Sequence, residues 1–362
     1  MDPRVKNLAR TLVKYSLDVK PGMSVSVGGT VAAEPLFVAL YEELINAGAY
    51  PMMQMMPTGC QEYLMKNGKP HHFDKVSPAQ RAMIKNVDAT IRIISESNTR
   101  ALSSVNPARQ ATLAKTSRAL SNIMLKKPWV LTLFPTEAYA QDAEMSLRDF
   151  ENFVYQATYS NEANPIAAWR KVRRDQDKLI AKLKGAREAR IVGPGTDLTF
   201  SIAGRTFINS PGTHNMPSGE IFTGPVETSA NGTIQYDYPV CNGGREIDGI
   251  RLVFSDGVVV EASATKNEKY LLTMLDMDPG ARRLGEWGIG TNWNIQRFIK
   301  NILFDEKIGG TIHLALGKSY AETGGVNQSS LHWDMIKDLR KGGAIYVDGK
   351  VFQKDGVFNK RF

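Results

Sequence analysis

Two of the chain's five histidines fall in one stretch, FDEKIGGTIHLALGKSYAETGGVNQSSLHWD, running from Phe304 to Asp334. In TIHLALG, strict alternation puts Ile312, Leu314 and Leu316 on one face of a strand and leaves His313 on the other, with small neighbours at Thr311 and Ala315. His332 and Asp334 bracket Trp333, so on an extended chain both polar side chains point to one side and the indole to the opposite one. A lone strand histidine is usually a satisfied structural residue, and His-x-Asp recurs by chance. Here both histidines lie among carboxylates, with no cysteine nearby. Imidazole and carboxylate without thiolate suit zinc, cobalt or manganese in a hydrolytic site better than a structural zinc. The polar, glycine-bearing loop AETGGVNQSS can return one strand beside the other, and Asp305, Glu306 and Tyr320 are near enough in sequence to join them.

Two further carboxylates sit where the backbone can approach closely. Glu220 lies in the glycine- and proline-bearing segment HNMPSGEIFTGPVE. Glu286 stands between Gly285 and Trp287, with Gly288 and Gly290 just beyond. Taken singly, each also fits an ordinary turn or helix-end acid. His214, close to Glu220 in sequence, is a further possible ligand.

The elements that must position these groups change character along the chain. Up to about residue 188, helical and strand patterns alternate: a helix over 3–16, the strand MSVSVGG, the helix AEPLFVALYEELINAG ended by Gly48, and the strand-like runs YPMMQMM, ATIRIISES and PWVLTLFPT. This predicts an N-terminal α/β domain with a mostly parallel sheet, closed by a connecting helix over 169–184. The VGGT turn is neither a dinucleotide-binding nor a Walker sequence and reads as a tight strand-to-helix connection. Met52, Met53, Met55 and Met56 read as core or interface packing, and His71 and His72 as surface residues. From 189 to 362 the pattern is mainly antiparallel β. IRLVFSDGVVVEASA and AIYVDGKVFQKDG form hairpins at Asp256-Gly257 and Asp348-Gly349, in a curved sheet or partial barrel that carries the candidate site.

The composition excludes several partners. The net charge is +8, but in RKVRRDQDKLIAKLKGAREAR the residues Val172, Leu179, Ile180 and Leu183 form a helical stripe, with acids among the bases. This is a solvated amphipathic face rather than a nucleic-acid platform. No apolar run approaches the roughly 20 residues needed to cross a bilayer. The N-terminus lacks a signal-peptide pattern, so the expected location is cytoplasmic. Cys60 and Cys241 form no motif and are expected to be free thiols.

The segments INSPGTHNMPSGEIFTGPVE, GARRLGEWGIGTN, NILFDEKIGGTIHLALGKSYAETGG and SSLHWD, with the opening LARTLVKYSLDVKPGMSVSV, resemble the blocks of the aminopeptidase T/aminopeptidase S family of metallopeptidases. The resemblance spans nearly the whole chain. It implies a metallo-aminopeptidase acting on peptides with a free N-terminus, with two divalent ions (zinc, cobalt, manganese or magnesium) held by Glu220, Glu286, His313, His332 and Asp334. Glu286 would be the bridging carboxylate, and Glu306, set farther from His313 than in the family, a further ligand. It also implies a homodimer. In the chemistry such a site would run, Glu220 or Glu306 would take a proton from water, and Tyr320 would donate to the developing oxyanion. Another metal-dependent amide hydrolase or an isomerase on the same site, and a binding protein without catalysis, remain the alternatives.

Overall fold

Short apolar runs separated by helices pair in the N-terminal part into a five-stranded sheet in the order Tyr50–Met56, Ser24–Thr30, Ala89–Ile94, Trp129–Leu133, Asn215–Met216. All of its pairings are parallel. A parallel sheet needs cover on both faces, which explains why Val25, Val27, Ile91, Ile93 and Val130 are buried. The first helix, Pro3–Thr11, starts where Pro3 pre-sets the backbone and the Asp2 carboxylate accepts the Arg4 N–H at 2.8 Å. Its continuation, Leu12–Ser16, is a turn of π-helix. Helix Glu34–Asn46 buries Leu36, Phe37, Leu40 and Leu44, and Gly48 takes the left-handed conformation just beyond it, at φ 73°. Thr30, at the end of VGGT, ties the turn to Ser95 by side-chain and backbone hydrogen bonds, so this turn is structural.

The computed structural model describes residues 1–242 and 245–362. The chain separates into two units, Met1–Trp169 with Gly212–Pro217, and Arg170–Pro211 with Ser218–Phe362. The helix expected over 169–184 spans Pro165–Lys182. Its apolar stripe is used: Leu183 is in the core of the second unit, and Leu179 and Ile180 pack against it. Lys171 and Lys178 pair with Asp175 in solvent. The methionine strand Tyr50–Met56 is the sheet edge, and Met52, Met55 and Met56 are exposed, which sets aside the core half of the core-or-interface expectation. His71 and His72 are exposed, as their polar turn predicts. Cys60 and Cys241 are exposed and are not in a disulfide. Among the described residues no helix is long and apolar enough to cross a membrane.

Besides the two-stranded ribbon of Val240–Asn242 and Arg245–Ile247, the second unit holds two larger open antiparallel sheets, neither closed into a barrel. One has eight strands, in the order Val258–Ser263, Arg251–Ser255, Asn231–Gln235, Thr196–Ser201, Glu188–Gly193, Ala344–Val347, Lys350–Lys354, Val357–Phe358. Its Asp256-Gly257 and Asp348-Gly349 turns both take positive φ at each residue, at 49°, 79°, 48° and 77°, the twist-compatible hairpin geometry for which Asp-Gly is suited. The other sheet has five strands, in the order His332–Asp338, Thr311–Gly317, Leu284–Gly290, Glu220–Thr223, Ile208–Ser210. Both sheets contribute to a single core that includes Leu198, Phe200, Ile234 and Leu252 from the first and Ile221, Trp287, Ile289, Ile312, Leu314, Leu316 and Trp333 from the second. Phe200 meets Trp287 edge-on at 5.2 Å. Each such fully buried aliphatic or aromatic side chain contributes about 1.5–3 kcal/mol, so the five-stranded sheet is held firmly by its apolar face. Its opposite face is left to carry polar groups.

Candidate metal centre

That opposite face follows from period two and ladder register. In the ladders Ala315 lies across from both Glu286 and Asp334, Gly288 across from His313, Gly317 across from His332, and Gly290 across from Glu220. Every candidate ligand on the sheet therefore has a glycine or alanine across from it on at least one side, although His313 also faces Ile336 and Glu220 also faces Ser210. Small residues leave room for long side chains from adjacent strands to converge. The space is real at Gly288, where a Cβ would overlap the His313 ring.

The two imidazoles are aimed the same way. His313 donates its Nδ1–H to the Glu306 carbonyl at 3.1 Å, and His332 donates its Nδ1–H to the Lys318 carbonyl at 2.9 Å. A carbonyl can only accept, so these bonds fix the tautomer and leave both Nε2 atoms free to face the centre. Glu286 lies between them: Oε1 is 3.5 Å from His313 Nε2, and Oε2 is 3.3 Å from His332 Nε2. Glu220 Oε2 lies 3.3 Å from His313 Nε2, and Asp334 Oδ2 lies 3.5 Å from His332 Nε2. Glu220, Glu286 and His313 form one close set of potential ligands, Glu286, His332 and Asp334 a second, and Glu306, His313 and Asp334 a third. All six residues expected to hold metal are thus brought together.

The charges reflect this crowding. Burial opposes ionisation of Glu286, but its hydrogen bonds to the two histidines outweigh that and hold it down to about 2. Glu220 has more burial than compensation and is pushed up to about 7, Lys307 pulling the other way. Burial also raises Asp334. For the histidines burial disfavours the charged form, yet neighbouring carboxylates prevail: Glu286 and Glu220 take His313 up to about 9, and Asp334 and Glu286 take His332 up to about 10. A cluster this acidic and this buried calls for cations.

Not every candidate joins. Asp305 is buried, but its carboxylate accepts the N–H groups of Ile299 and Asn301 at 2.8 and 2.7 Å and so pins a loop instead. His214 belongs to the first unit, where its ring packs 4.8 Å from that of Trp129. Tyr320 stands beside the centre, its ring 5.3 Å from His332 and 5.5 Å from Phe222. Its side chain is exposed overall, yet loss of water around the hydroxyl and the facing carboxylates hold the phenol well above its ordinary value. Two buried residues have no counterpart in the sequence expectations. Gln176 donates to the Glu220 carbonyl at 3.0 Å and to Thr291 Oγ1 at 2.9 Å, fixing the Glu220 strand. Lys307 reaches Glu220 Oε1 at 2.7 Å and also pairs with Glu306. The only sequence signal for Lys307 is a lysine held between Glu306 and the apolar, glycine-rich IGG.

The donor set fits divalent cations. Glu220 Oε2 and Asp334 Oδ1 are buried without a hydrogen-bond partner, an arrangement that costs free energy unless something else satisfies them. Oxygen and imidazole donors, without sulfur, accept zinc, cobalt, manganese or magnesium.

Known proteins share this chain's sequence and fold. The sequence profile of the thermophilic metalloprotease (M29) family matches residues 1–358. Aminopeptidase 2 of Geobacillus stearothermophilus is 30% identical over 390 aligned positions, covering 94% of each chain. Aminopeptidase T of Thermus thermophilus is 29% identical over 250 positions, 61% of this chain and 60% of that one. Among solved structures, wild-type AmpT from Thermus thermophilus superposes with a TM-score of 0.85 at 24% identity, covering 98% of both chains. A 2,5-dihydroxypyridine dioxygenase from Pseudomonas putida KT2440 shares the fold at a TM-score of 0.61 and 17% identity, covering 98% of this chain and 97% of that one.

Proposed function

The chain belongs to the thermophilic metalloprotease (M29) family and is a peptide-bond hydrolase, and from that premise we propose that it is an aminopeptidase releasing N-terminal residues from peptides through two divalent metal ions. The observation that carries the reading is the placement of Glu286, with one carboxylate oxygen toward each histidine Nε2, at 3.5 and 3.3 Å. A carboxylate placed in this way would serve two cation positions at once. Glu220 and His313 would complete one position, His332 and Asp334 the other, with Glu306 at the edge of both.

Such ions supply Lewis-acid polarisation of the scissile carbonyl and make water a nucleophile at neutral pH. The protein's own groups do the rest. The Nδ1–H bonds to the Glu306 and Lys318 carbonyls orient the imidazoles before substrate enters. Glu220, where its carboxylate is not committed to a cation, or Glu306 at the same edge, would accept the proton of the attacking water. Tyr320, kept neutral, donates its hydroxyl hydrogen to the oxygen of the tetrahedral intermediate. One of the cations or a carboxylate of the cluster would hold the substrate's free α-amino group, which limits cleavage to the first residue. The same reading includes a homodimer in the cytoplasm, and sedimentation at twice the chain mass checks the first of these.

The test is hydrolysis of a leucyl anilide by protein stripped with a chelator and then resupplied with zinc, cobalt, manganese or magnesium. Activity lost on stripping, regained with metal and absent for the N-acetylated substrate supports the reading. Chelator-indifferent turnover, or equal cleavage of the acetylated anilide, sinks it.

A further inference from the structure

Lys307 is 1% exposed, among the most completely buried charged side chains of the described residues, and it lies against the acidic cluster. Its ammonium contacts Oε1 of Glu220 at 2.7 Å and Oε1 of Glu306. A lysine without such partners is very costly to bury. Its contacts are one-sided: it takes one oxygen of Glu220 and leaves Oε2 bare, 3.3 Å from His313 Nε2 and without a hydrogen-bond donor. Of the three sets of potential ligands, the two that contain His313 each include one carboxylate held by Lys307. The set of Glu286, His332 and Asp334 includes none.

We propose that Lys307 is a positioning residue that turns the free oxygens of Glu220 and Glu306 toward the His313 side of the centre, and thereby sets the affinity of that cation position alone. The inference rests on the two-ion reading above. Two effects compete in it. A fixed positive charge repels an incoming cation and would loosen binding. Against that, Glu220 is fully enclosed, and without the ammonium two neighbouring carboxylates would repel each other and lose the donor that orients them. Partners that orient metal ligands are worth about 10–100-fold in affinity. Orientation wins, because at Glu220 the ammonium takes Oε1 and leaves Oε2, the oxygen 3.3 Å from His313 Nε2, open as a ligand.

The experiment is calorimetric titration of chelator-stripped protein with Co²⁺, followed in parallel by the visible absorption of the bound ion, for wild type and Lys307→Met. Wild type is expected to bind in two steps. Lys307→Met is expected to keep one step at wild-type affinity and to weaken the other about 10–100-fold, with the absorption band of the second ion shifted or lost. A purely structural role would lower the melting temperature of the metal-free protein and leave both steps alike, so thermal melting of the stripped proteins is recorded alongside. Should the methionine variant be recovered unfolded, Lys307→Gln, which keeps the site polar but cannot hold both carboxylates, is read against the same threshold. Two wild-type steps in a folded Lys307 variant, or tighter binding, overturns the inference while leaving the metal centre standing. Failure of the wild type to bind any Co²⁺ overturns the underlying functional reading instead.

Discussion

Gly288 lies directly across the antiparallel ladder from His313, and the imidazole occupies the space that a side chain at Gly288 would need. Both residues are fully buried, so neither has anywhere to retreat. Gly288→Ala should therefore displace the His313 ring while the core behind the sheet stays packed. We expect kcat/KM to fall by about 100-fold, as for a misplacement of order 1 Å, with weakened metal uptake and a retained cooperative melt. Wild-type turnover in a folded Gly288→Ala protein would show that the ring need not stand where it does.

Glu286 directs one carboxylate oxygen to each histidine, Oε1 3.5 Å from His313 Nε2 and Oε2 3.3 Å from His332 Nε2. Glu286→Gln keeps the shape and removes the charge. Its loss should exceed the 10–100-fold typical of partners that only orient ligands, so activity should drop by more than about 100-fold and elemental analysis should find fewer than the wild-type number of bound ions. An unchanged ion count would remove Glu286 from the bridging role.

For Tyr320, adjacent to His332, Tyr320→Phe should lower kcat by about 10²–10³-fold, the range seen when one oxyanion donor is removed. KM and metal content should change little. A variant that turns over at the wild-type rate would end the oxyanion assignment.

Away from the centre, Arg340 grips Asp338 through Nε and a terminal nitrogen at 2.9 and 2.6 Å, and Tyr238 donates to the same carboxylate at 2.9 Å. Burial opposes ionisation of Asp338, but the Arg340 hydrogen bonds outweigh it and depress its pKa. A depressed carboxylate contributes stability that is present above its unfolded pKa of about 4 and lost as pH falls through its lower folded value. Melting temperatures measured from pH 6 to pH 3 should fall more steeply for wild type than for Asp338→Asn, in which the charge is absent throughout. Parallel curves would dismiss the pair as a source of acid sensitivity.

Much of this was legible in the amino-acid sequence, because it depends on neighbours along the chain. Alternation alone separates His313 from Ile312, Leu314 and Leu316, and the last three lie in the core as that pattern requires. His332 and Asp334 share a face for the same reason, and the Asp-Gly pairs at 256 and 348 form their hairpins because Asp and Gly tolerate positive φ. The alternation of helices with apolar runs likewise dictates the parallel sheet of the first unit.

Tertiary structure decided what lies across from what. Strand periodicity settles which side of its own strand a residue takes, but not which strand becomes its neighbour. That is fixed by ladder hydrogen bonds and by the shared core, which place Gly290 against Glu220 and Ala315 between Glu286 and Asp334. Outside regular strands even the side is undetermined locally. Three consecutive charged residues, Asp305, Glu306 and Lys307, carry no periodic signal, yet the first caps a loop, the second joins the centre and the third is buried between two carboxylates. His214, so close to Glu220 in sequence, belongs to the other unit because the chain crosses between them at Pro217. Local chemistry chose the residues capable of holding a cation, and the non-local packing of one sheet face chose which of them meet.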